Sequence, residues 1–129
     1  MLSEQTIRKM RAVIAAILAE PELYDQDISP SGATDCNSVC CAAGWVYWLN
    51  DPEDYAARLR DDRKYQLSFN APKLLGIDVF AGHNLFDYAY NWPEPYASQY
   101  AKATTPLGKA KVLEARWEHF IAVDGKEAT

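Results

Sequence analysis

The chain is short of histidine and of positive charge, and it lacks the usual signatures of cofactor and nucleotide chemistry. Two histidines occur in 129 residues, and neither sits in a His-x-x-x-His pair. The three cysteines, Cys36, Cys40 and Cys41, have no second Cys-x-x-Cys pair to complete a zinc site, so no metal and no other cofactor is expected. No glycine-rich phosphate loop and no Gly-x-Ser-x-Gly elbow is present. No apolar run approaches the roughly 20 residues that span a bilayer. The first residues carry Glu4, Arg8, Lys9 and Arg11 in a helical pattern rather than a secretion signal, so a cytoplasmic location is expected. Thirteen Lys and Arg stand against eighteen Asp and Glu, a net charge of -5, which disfavours nonspecific association with nucleic acid or an anionic membrane. An odd cysteine count with two adjacent thiols fits a reducing compartment better than a disulfide framework.

What is present suits one all-α domain over residues 1–129. Apolar residues make up 49% of the chain, and a chain of this length buries roughly two-thirds of its unfolded surface without a disulfide or metal. Residues 3–20 read as an amphipathic helix capped by Ser3 and ended before Pro21, with Ile7, Met10, Ile14, Ile17 and Leu18 on one stripe. Residues 22–35 read as a loop. Residues 38–50 read as a second helix, apolar nearly all round and therefore buried. Asp51-Pro52 starts a third, running to about Arg60. Tyr65 to Phe69 alternates with period two and is the one candidate for a short strand. Asn70-Ala71-Pro72 opens a short helix ending near Gly76, and Asp78 caps another through Phe86. Trp92 to Pro95 reads as a loop, and residues 96–103 as a short helix. Thr105-Pro106 starts the last long helix, with Ala110, Leu113, Trp117, Phe120 and Ile121 as its stripe and Gly125 past its end. The expected architecture is an irregular bundle in which two long helices flank the buried central one.

The run Cys36-Asn37-Ser38-Val39-Cys40-Cys41-Ala42-Ala43-Gly44-Trp45 holds every cysteine of the chain. It supports two readings. In the structural one, Cys41, Gly44, Trp45 and Trp48 are packing residues of a tightly buried helix. In the chemical one, Cys36 lies at a helix N-terminus, where unpaired amides and the dipole lower a thiol pKa, and acts as a nucleophile. A cysteine-dependent hydrolase or transferase also needs a base, for which the candidates are His83 and His119. His119 should face outward from the last helix.

This run, together with Ala71-Pro72-Lys73-Leu74-Leu75-Gly76-Ile77, Leu85-Phe86, Trp92-Pro93 and Arg116-Trp117-Glu118-His119-Phe120-Ile121, resembles an uncharacterised family of small bacterial and phage proteins. Those proteins carry a Cys-Gly-Thr-x-x-Cys-x-Ala-Gly-Trp-like segment, then Leu-Leu-Gly-Leu, Leu-Phe, Trp-Pro and an Arg-Ile-x-His-Phe-Ile-like final helix. Asn37 and Ser38 stand here in place of the usual glycine and threonine. The resemblance covers roughly residues 36–125. It implies a microbial or phage origin but no defined activity. Phage-borne members of such families often modulate host machinery, which makes an inhibitor of a host or defence protein a reasonable expectation.

Phe80, Phe86, Tyr88, Tyr90, Trp92, Tyr96 and Tyr100 crowd into residues 80–100, and from Leu74 to Ala101 there is no lysine or arginine. Single-strand nucleic-acid sites pair stacking aromatics with cations, so this segment argues against one. Uncharged tyrosine and tryptophan suit a protein interface, with Tyr88, Tyr90, Trp92 and Tyr96 as anchors; the plainer alternative is a satellite core. The carboxylate groups at Asp51-Glu53-Asp54 and Asp61-Asp62 read as solvated helix ends. A protein-binding module is thus the favoured function and the cysteine enzyme the alternative.

Overall fold

The computed structural model describes residues 2–26, 41–60 and 67–126. Among these, the chain forms seven α-helices and three short 3-10 turns, with no sheet. The helices are α1 (Glu4–Ala19), α2 (Ala42–Asn50), α3 (Pro52–Arg60), α4 (Leu67–Leu75), α5 (Val79–Gly82), α6 (Tyr96–Lys102) and α7 (Pro106–Ala122). The 3-10 turns are Pro21–Leu23, His83–Phe86 and Ala89–Asn91.

The long helices begin and end where their terminal chemistry dictates. The Ser3 hydroxyl accepts from the Thr6 amide at 3.0 Å, and the Thr105 hydroxyl accepts from the Gly108 amide at 3.0 Å, with Pro106 in the first turn. Each supplies an acceptor to an amide that the helix itself leaves unsatisfied. At the far end of α7, Gly125 donates to the Phe120 carbonyl and Asp124 to that of Ile121, with both residues at positive φ. Helix α4 closes in the same way on Gly76, φ 81°, with Ile77 donating to Pro72 and Gly76 to Lys73.

Helices α1 and α7 pack together and run antiparallel. The Leu2 amide donates to Asp124 at 2.7 Å, and Arg11 forms a two-pronged ion pair with Glu118 at 3.0 Å. Their facing stripes, Met10, Val13, Ile14 and Ile17 on one side and Ala110, Leu113, Trp117 and Phe120 on the other, are buried. The central helix α2 lies against α4, α3 and α1. Every residue from Ala42 to Tyr47 is buried, as its unbroken apolar surface requires.

Three sequence expectations shift. Residues 67–69 belong to helix α4 rather than to a strand; Tyr65 and Gln66 lie outside the described residues. Pro72 does not open α4 but sits inside it. It and Ala71 and Leu75 are buried, so the apolar face at i and i+4 prevails over the short period-two pattern. Helix α2 starts at Ala42; residues 38–40 lie outside the described residues. The side chain of its cap residue, Cys41, does not cap the helix, and the Ala42 amide is met by Gln26 Oε1 at 3.1 Å.

Candidate functional site: a tyrosine pair above a buried tryptophan

The segment between α5 and α6 is held down from below. Ala89 and Trp92, three residues apart across the Ala89–Asn91 turn, are both buried. In a 3-10 turn, residues at i and i+3 point the same way, so these two form the floor. The Trp92 ring meets Tyr100 of α6 edge-on at 5.3 Å and lies beneath the guanidinium of Arg116 of α7 at 5.7 Å. Trp92 is 3% exposed, which removes it from the set of surface anchors expected from the sequence. Its position as an aromatic among tyrosines suggested the surface; the turn period places it inside.

The same geometry turns Tyr88 and Tyr90 outward. Their rings stack at 5.6 Å with 6° between the planes. Tyr88 is 38% exposed and Tyr90 71%. Asp87 lies at the foot of the stack, its Oδ1 accepting from the Tyr88 amide at 2.7 Å. Tyr96, the fourth expected anchor, is half-buried on α6, with its ring 6.0 Å from that of His119. Phe80 on α5 is 86% exposed. Glu94 caps α6 by accepting from both the amide and the hydroxyl of Ser98.

Behind the turn sits a polar hub that the sequence did not single out. Gln26 is buried, and its side chain joins three parts of the fold. Oε1 accepts from Tyr24 Oη at 3.2 Å and from the Ala42 amide, while Nε2 donates to the Asp87 carbonyl at 2.9 Å. Its backbone amide donates to Tyr100 Oη at 2.7 Å, and Tyr100 donates onward to Asp25 at 3.0 Å. Burial pushes the Tyr24 hydroxyl well above its ordinary pKa, with Tyr100 and Cys41 acting in the same direction. A polar glutamine in a loop rich in acids carries no sequence signal for this role. A cleft of about 170 Å³ opens beside it, lined by Glu22, Asp25, Thr104 and Lys109 among others, with Lys109 and Asp25 paired at 3.6 Å.

The cysteine-rich run resolves in part. Cys41 is buried at the start of α2, and Gly44 is buried within it. The Trp45 indole donates to the Leu23 carbonyl at 3.2 Å, tying α2 to the Pro21–Leu23 turn. Trp48 packs on Trp45 at 5.3 Å and borders a shallow hollow of about 260 Å³ with Ala16, Ala19 and Leu49. Cys36 and Cys40 lie outside the described residues, as does the side chain of His83. His119 is exposed beside Tyr96. Among the described residues no group of three or more His, Cys, Asp or Glu is placed to hold a metal ion, and no helix is long and apolar enough to cross a membrane.

Compared with protein-family models, curated proteins and solved structures, the chain matches none.

Proposed function

We propose that this chain is a small protein-binding module that acts by covering a partner's surface with the face carrying Tyr88 and Tyr90. The observation that carries the reading is the stacked pair itself: two large rings, held parallel and both exposed, Tyr90 the more so, on a turn pinned from beneath by Ala89 and Trp92. Tyrosine brings large contact area at small rotamer cost, and a rigid mounting reduces what is lost on association. Binding by occlusion suits an inhibitor or modulator, and a phage or mobile element acting on a host or defence protein is the setting we infer from the resemblance.

The test places a photo-crosslinking amino acid at position 90, and separately at the exposed Lys111 on α7, in lysate of a bacterial host. Crosslinks to one protein from position 90, absent from position 111 and competed by unlabelled wild type but not by Tyr88→Ala/Tyr90→Ala, support the reading. Equal or absent labelling at the two positions rejects it.

A further inference from the structure

We infer that the Tyr88–Tyr90 stack receives a cationic side chain, arginine in preference to lysine, from a basic segment of the protein partner. The inference rests on the binding-module reading and gives the partner a chemistry. Three other rings among the described residues already take a cation from the chain itself. Arg58 lies over Tyr47 at 5.5 Å, Lys109 over Tyr100 at 5.6 Å and Arg116 over Trp92 at 5.7 Å. The stacked pair is different. Among the described residues no lysine or arginine lies over Tyr88 or Tyr90, and the chain offers none between Lys73 and Lys102. Both rings are exposed, and their open faces carry the negative side of the ring quadrupole outward.

The charged residues of the sequence segment between Lys73 and Lys102 are all acidic. Asp87 is fixed at the foot of Tyr88, and Asp78 and Glu94 are the other charged residues of the segment. With a net charge of -5, the whole chain draws a basic partner towards it. A flat ring face favours a planar guanidinium, which stacks on aromatics and is more weakly hydrated than an ammonium. An acidic or purely apolar partner would gain nothing from the carboxylates and would have to desolvate them.

Fluorescence anisotropy with labelled peptides of alternating glycine and arginine, glycine and lysine, or glycine and serine tests this directly. The expected affinity order for wild type is arginine, then lysine, with no measurable serine-peptide binding. Tyr88→Ala/Tyr90→Ala keeps every charge and should weaken the arginine peptide about five- to tenfold, whereas Tyr88→Phe/Tyr90→Phe should retain binding. Equal binding of the arginine peptide to wild type and to the alanine variant would mean general charge attraction and overturn the inference, as would no preference for arginine over serine. The crosslinking experiment separates the two readings. A partner captured from position 90 through a stretch without arginine or lysine refutes the cationic seat and leaves the binding module standing. No specific capture removes the module itself.

Discussion

Arg116 and Trp92 are both buried, with the guanidinium 5.7 Å from the centre of the indole ring. A permanent charge on the inner face of α7 therefore rests on the residue that supports the tyrosine turn. The pair couples the longest helix to the candidate binding face, and it gives Trp92 a structural duty that its neighbours Tyr88 and Tyr90 do not share.

Trp92→Ala should accordingly destabilise the protein by about 3–5 kcal/mol, the range for truncating a buried large aromatic. Tyr90→Ala should shift stability by less than about 0.5 kcal/mol, as for most surface changes. Urea unfolding followed by tryptophan fluorescence and circular dichroism reads both. A Trp92→Ala variant as stable as wild type would show that the turn is not held from below.

Gln26→Leu keeps much of the side-chain volume and removes three hydrogen bonds at once. It takes a partner from the Tyr24 hydroxyl, the Ala42 amide and the Asp87 carbonyl. The expected loss is about 2–4 kcal/mol, since each buried group left unsatisfied carries a desolvation penalty. Amide hydrogen exchange should also speed up at Ala42 and in the first turn of α2. Unchanged exchange there would show that Gln26 does not cap the helix.

Gly76 occupies φ 81°, and a methyl group added to it would stand 2.7 Å from the Thr6 hydroxyl. Gly76→Ala meets both penalties, left-handed backbone strain and a steric clash with α1. A loss of at least about 1–2 kcal/mol is expected from the backbone alone. Thermal unfolding measures it, and a stabilised variant would contradict the observed C-terminal geometry of α4.

The buried Tyr24 hydroxyl makes the alkaline limb of the stability curve informative. Its folded pKa lies well above 10, mainly through burial, while in the unfolded chain it titrates near the ordinary value. The contribution is fully present below about pH 10 and is lost progressively as pH rises from there towards the folded pKa, because the unfolded state then holds fewer protons. Tyr24→Phe should be less stable than wild type at neutral pH, having lost a hydrogen bond, yet should lose less stability between neutral pH and the alkaline limb. Parallel alkaline slopes for the two proteins would show that Tyr24 is not responsible.

Much of this arrangement was legible from residues whose chemistry is local. Ser3, Thr105-Pro106, Asp78 and Gly125 marked helix ends because capping and positive φ are decided by a few neighbouring atoms. The stripes of α1 and α7 were readable because a long amphipathic helix repeats its signal. Residues 67–69 misled because Leu67, Ser68 and Phe69 fit a strand as well as a helix over so short a span, and packing of α4 on α2 decides between them. Trp92 misled for a related reason. A loop over Trp92 to Pro95 carries no period, whereas a single 3-10 turn just before it sets residues 89 and 92 on one side and 88 and 90 elsewhere. The Gln26 hub was not legible at all, since its partners come from positions 24, 42, 87 and 100, and no local pattern announces contacts so far apart in sequence.

The division within the turn also bears on how such a protein changes over generations. Ala89 and Trp92 hold the fold, while Tyr88 and Tyr90 meet the outside. If the proposed binding face is the working one, substitutions at the two outward positions would alter what is recognised with little effect on folding, so new specificities would lie a codon or two away along a path where every ancestor still folds. On that reading a lineage pressed by a changing partner would explore at 88 and 90, while the burial of Ala89 and Trp92 would constrain change at those two positions.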